Sequence, residues 1–157
     1  MAFVNQNLNE HKNNDIDALA LRLTTATSRF TRVAGRVPGV THSVTAWRTL
    51  AALDSAGPGR VSELAAQERI SQPTMTGLVQ RLADEGFVER GPDPDDGRAT
   101  RVTITANGSH ALAEYRRAAA ARIRPALDRL SDFDRATLDR AAELLAEITD
   151  APELAGA

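Results

Sequence analysis

Apolar residues recur along this chain at helical spacing, give way to a short β-like stretch, and then return to helical spacing. Ile16, Leu19, Leu23, Thr27, Phe30 and Ala34 share one face and predict a helix. Asn14 or Asp15 is placed to cap it, and Gly35 with Pro38-Gly39 to end it. Arg22, Arg29, Arg32 and Arg36 lie elsewhere around it as a solvated face. Ser43 is placed to cap a second helix with Val44, Trp47, Leu50, Ala51 and Leu53 on its stripe, stopped by Gly57-Pro58-Gly59. Val61 reads as a brief strand and Ser62 as the cap of a third helix, with Leu64 and Ala65 inward. Ile70 follows as a core residue in a turn.

The fourth helix has the clearest two-sidedness. Met75, Leu78, Val79 and Leu82 form one apolar stripe, while Thr74, Thr76, Gly77, Gln80 and Arg81 leave a low-relief polar face. Ser71 can cap its start, Pro73 is tolerated in its first turn, and Gly86 stands where it should end. Residues 87–90 and 101–104 are β-like, and Gly91-Pro92-Asp93-Pro94-Asp95-Asp96-Gly97 between them is loop-forming, so the pair predicts a hairpin with a projecting tip. Thr105 then caps a long helix bearing Leu112, Tyr115, Ala119, Ile123 and Leu127, which Pro125 should bend or break. Ser131 or Asp132 starts a last helix with Leu138, Ala141, Leu144, Leu145 and Ile148. Residues 1–13 and 151–157 read as flexible tails.

The fold class is therefore mainly α with a small β-hairpin. The first and last helices carry apolar stripes that the central unit is too small to cover, which implies a homodimer built from them. A seam within one chain is the alternative.

Composition narrows the chemistry. The 157 residues contain no cysteine, which excludes disulfides and thiol redox chemistry. His11, His42 and His110 are widely separated, and no metal site or cofactor is indicated. No nucleophile–base pair or phosphate-cradling glycine loop appears, so an enzyme is not expected. The chain shows neither a membrane-spanning run nor a signal peptide, and a cytoplasmic location is the default. Net charge is −2, and between residues 60 and 101 six arginines face eight carboxylates. Any nucleic-acid site must then depend on where arginines are placed, because bulk charge opposes it.

The run SELAAQERISQPTMTGLVQRLADEGFVERGPDPDDGRATRVTITANG, preceded by SVTAWRTLAAL, resembles the winged helix-turn-helix core of the MarR (multiple antibiotic resistance regulator) family. With its flanking helices the resemblance spans about Asp15 to Ile148. It implies a winged helix-turn-helix DNA-binding domain over 41–105, and a helical dimerisation region over 14–40 and 106–150.

By that resemblance, residues 72–82 enter the major groove of double-stranded DNA at a pseudo-palindromic operator. The implied DNA-contacting set is Ser71, Gln72, Thr74, Thr76, Gly77, Gln80, Arg81 and Arg98. Thr74, Thr76 and Gln80 are the candidates for base edges or nearby phosphates, Arg81 for a phosphate or for bracing the wing, and Arg98 for the minor groove. Asp96 fixes the wing loop. Gly77 and Gly97 depart from the family pattern, where larger polar or basic residues are common, and each removes one expected contact. Many relatives release DNA on binding phenolic or lipophilic anions, and His42, Trp47, Arg48 and Tyr115 are candidates to line such a space. Trp47 on an apolar stripe is also an ordinary core residue. The resulting function is a homodimeric transcriptional regulator, a repressor released by a small molecule. The alternative is a winged-helix protein-interaction module that no longer binds DNA.

Overall fold

A computed structural model describes residues 2–151, with side chains from residue 14 onward. Residue 1, the side chains of 2–13 and all of 152–157 lie outside the described residues; the backbone of 2–13 is helical where a flexible tail was expected, and the tail expected at 151–157 falls almost wholly outside them. The chain divides into two compact units, residues 1–119 and 120–157.

The first unit holds α1 (Ala2–Ala34), α2 (Val44–Ala56), β1 (Gly59–Arg60), α3 (Val61–Gln67), α4 (Gln72–Asp84), β2 (Val88–Pro92), β3 (Thr100–Ile104) and the larger part of α5 (Ala106–Leu127). The second holds the end of α5 and α6 (Asp132–Thr149). Mostly helical, with one small antiparallel sheet, the architecture is the class expected. Among the described residues no helix is long and apolar enough to cross a membrane.

A single core sits under the central elements. Leu50 and Leu53 of α2, Val61 and Leu64 of α3, Met75, Val79 and Leu82 of α4, Val88 and Val102 of the hairpin, and Leu112 of α5 are all buried together. The stripes read from the sequence for α4 therefore face inward, and Ile70 packs half-buried against them. Val44, expected on the α2 stripe, is 57% exposed because it stands at the first turn, outside the packed layer.

Several local expectations are corrected. Asn14 and Asp15 lie inside α1 and do not start it. The brief strand is Gly59–Arg60, one residue pair before Val61, and it adds a third strand to the hairpin in the order β1-β3-β2. Gly59 pairs with Val102 and Arg60 with Arg101. Two residues are too few to show a period, so only the partner strand defines this one. Ser62 consequently falls inside α3, and the cap position belongs to Arg60, whose N–H donates to Glu63 Oε2 at 2.9 Å. The hairpin strands extend to Pro92 and Thr100, shortening the loop to 93–99. Pro125 does not break α5 where it stands. The helix runs two residues further to Leu127, since a proline in the last turn deprives only one carbonyl of its partner.

Ser43, Ser71 and Ser131 cap their helices as read, each accepting the N–H three residues on. Thr105 likewise accepts the Gly108 N–H at 3.0 Å, while its own hydroxyl donates to the Gly86 carbonyl at 2.7 Å. The start of α5 is thereby fastened to the end of α4 and the entry to the wing. Gly108 is required there: a Cβ on it would lie 2.1 Å from the Phe87 carbonyl oxygen.

Candidate nucleic-acid interface

The α3–turn–α4 unit is closed by backbone chemistry at both ends. After α3, the N–H groups of Arg69 and Ile70 donate to the Ala66 and Ala65 carbonyls at 3.1 and 3.0 Å, with Arg69 at φ 53°. After α4, Gly86 and Phe87 repeat the pattern onto Ala83 and Leu82 at 2.9 and 2.8 Å, with Gly86 at φ 73°. Both are left-handed helix terminators that return carbonyls to hydrogen bonds as the chain reverses. They set the angle of α4 to α3 and launch the wing from its far end.

With its stripe buried, α4 turns its other side to solvent. Gln72, Thr74, Thr76, Gly77, Gln80 and Arg81 are all exposed, as is Ser71 before them. The hydroxyls are partly engaged: Ser71 Oγ and Thr74 Oγ1 share a 2.7 Å hydrogen bond, and Thr76 Oγ1 donates to the Gln72 carbonyl at 2.9 Å. The Gln80 amide is occupied at both ends, donating to Asp84 Oδ1 at 2.7 Å and accepting from Arg90 Nη1 of β2. Arg81 makes no ion pair among the described residues. Asp84 is taken by Gln80, and Glu85 meets His42 Nε2 at 2.5 Å. A space opposite Gly77 is empty to 4 Å, consistent with a contact removed and not a helix crowded.

Arg98 projects from the wing loop with its guanidinium unpartnered among the described residues, its N–H held by Asp96 Oδ1 at 3.0 Å. Asp96 thus holds one N–H of the loop. The larger support is Asp93, which sequence reasoning treated only as a turn former. Its fully buried carboxylate accepts Arg60 Nε at 3.0 Å and Nη2 at 2.8 Å, and Arg101 Nη1 at 3.3 Å. It also accepts the N–H groups of Asp95 and Asp96 at 3.0 and 3.1 Å. The hydrogen bonds from Arg60 hold this carboxyl far below the usual carboxylate range, with the Asp95 N–H adding to them; burial opposes the shift and loses. An Asp heading a run of turn formers was the available signal for the loop bonds. Nothing in sequence pointed to an arginine 33 residues away.

α3, the start of α4 and the wing enclose a hollow of about 110 Å³. Arg60, Arg90 and Arg98 reach it from three segments, with Ser62, Gln72, Thr76 and Thr100 among the other lining groups. Of the residues expected to contact DNA, Gln72, Thr76 and Arg98 line it together. Thr74, Gln80 and Arg81 do not line it.

The effector candidates are gathered only in part. The rings of Trp47 and Tyr115 stack at 4.4 Å, and His42 lies edge-on to Trp47 at 5.3 Å. Trp47 is a core residue, yet its buried Nε1 has no hydrogen-bond partner among the described residues. Tyr115 Oη donates to the Gly35 carbonyl at 3.5 Å. Arg48 does not join them; it pairs with Glu68 at 3.2 Å, across from α2 to the end of α3.

Comparisons with known proteins converge on one family. The MarR family model matches residues 43–100. An HTH-type transcriptional regulator of Mycobacterium tuberculosis is 34% identical over 138 residues, 87% of this chain and 96% of that one. The HTH-type transcriptional repressor IacR of Pseudomonas putida is 37% identical over 62 residues, 40% of this chain and 37% of that one. The solved structure of wild-type MarR from E. coli superposes with a TM-score of 0.65 at 19% identity, covering 81% of this chain and 96% of that one, a likeness of fold. The closed helix-turn-helix, the hairpin wing and these matches have one reading: the chain belongs to the MarR family of transcriptional regulators, with that family's DNA-binding winged-helix fold.

Proposed function

We propose that the protein is a cytoplasmic homodimeric repressor that places two copies of α4 in successive major grooves of a pseudo-palindromic operator. The observation that carries this is the exposed polar side of α4 standing beside an arginine-tipped wing in a unit whose net charge gives no general affinity for DNA. Dimerisation is supported by the terminal helices: Leu19 and Phe30 of α1 are 47% and 54% exposed, and α6 has no buried residue in the single chain. Two-fold symmetry would set half-sites about 34–36 Å apart. Repression is supported by the relative IacR, a repressor by name. A small aromatic anion is the ligand class suited to the His42–Trp47–Tyr115 cluster, where the Trp47 Nε1 donor lacks a partner among the described residues. It would release DNA by favouring a dimer with the wrong half-site spacing.

Selection of bound duplexes from a genomic pool tests the proposal. A recovered two-fold-symmetric site, bound with a steep salt dependence, is expected. Failure to retain any duplex would favour the protein-interaction module instead.

A further inference from the structure

We infer that the arginine-ringed hollow seats a single phosphate of the DNA backbone, and that Gln80 is the positioning residue that holds Arg90 for it. The inference rests on the proposal that α4 faces DNA, and names a contact within it.

The hollow is chemically selective. None of its lining residues is acidic, in a stretch where carboxylates outnumber arginines. Of the carboxylates nearby, Asp93 is buried and shared between Arg60 and Arg101, while Glu63 and Asp96 are engaged by the backbone N–H groups of Arg60 and Arg98, and Arg90 and Arg98 have no carboxylate paired with their guanidinium groups among the described residues. Hydroxyls of Ser62 and Thr100 stand in the same lining as Arg60, Arg90 and Arg98. Because α3, α4 and the wing all contribute, an anion there would fix register without reading sequence.

Gln80 was expected to read a base, but pairing with an adenine edge needs both ends of the amide free. Here one end is held by Asp84 and the other holds Arg90. The chain Asp84–Gln80–Arg90 ties the last turns of α4 to β2. Arg90 spends one donor on Gln80 and retains others for an anion.

The test uses the full chain and a duplex recovered by selection, with binding followed by anisotropy across a range of salt. Arg90→Ala should weaken binding about tenfold and reduce the salt slope by about 0.9 for each bound subunit. Methylphosphonate placed at one phosphate per half-site should weaken the wild type and leave Arg90→Ala unaffected. Gln80→Leu should weaken binding less, and add nothing in an Arg90→Ala background. An unchanged slope and methylphosphonate profile in Arg90→Ala would remove the seat while leaving the regulator intact. Additive Gln80 and Arg90 effects would remove the positioning role. An Arg90-dependent response to inorganic phosphate with an unchanged DNA slope would reassign the hollow to a free anion. Binding to no duplex at all would overturn the regulator proposal itself, and the seat with it.

Discussion

Arg69 sits at φ 53° between α3 and α4, in the left-handed region where a side chain crowds its own backbone. Glycine would relieve about 1–2 kcal/mol of that strain, against about 0.5–1 kcal/mol of extra freedom lost on folding. Its side chain has no partner among the described residues, so Arg69→Gly should stabilise the fold by about 0.5–1 kcal/mol, measured by urea denaturation. A destabilised variant would show that the Arg69 side chain makes a contact of its own in solution. Asp93 acts at the same scale but through charge. Its pKa is depressed in the fold, so its contribution is complete above the ordinary carboxylate range and is lost as pH falls through the lower folded value. The stability gap between wild type and Asp93→Asn should therefore be widest at neutral pH and shrink below about pH 4. A gap that stays constant from pH 7 to pH 3 would mean the carboxylate is not ion-paired.

At the scale of elements, the junction between α4, the wing and α5 is closely packed. Gly86 turns the chain, Thr105 bonds its carbonyl, and the Phe87 carbonyl accepts the Thr105 N–H at 3.0 Å. Gly108 packs directly on that carbonyl, which is backbone and has little room to yield. Gly108→Ala should cost about 2–3 kcal/mol, visible as a lowered thermal midpoint. A neutral result would show that α5 can shift without penalty. The hairpin itself was legible from its β-branched residues and turn formers. β1 was not, because a two-residue strand exists only through its pairing with β3. For the same reason Arg60 was missed: it is a cap position, a strand residue and the Asp93 partner at once, and each role depends on elements distant in sequence.

At the scale of the whole molecule, α6 carries large apolar residues open to solvent. Leu138 and Ile148 are each 49% exposed and belong to no buried cluster. Leu138→Glu with Ile148→Glu should weaken self-association by at least tenfold in sedimentation equilibrium and leave the cooperative unfolding of the core in place. If both variant and wild type sediment as the same species, the dimer is not formed through this face. The sequence by itself determined the helices, the caps at Ser43, Ser71 and Thr105, the inward stripe of α4 and the turn at Gly86. Each of these follows from periodicity or from one residue's local chemistry, which neighbouring residues suffice to express. Only the tertiary structure decided that Gln80 is occupied, that Arg48 stands away from Trp47 and Tyr115, and that Arg60 and Arg101 meet on Asp93. Side-chain partnership depends on which surfaces packing brings within a few ångströms, and no local period encodes that distance.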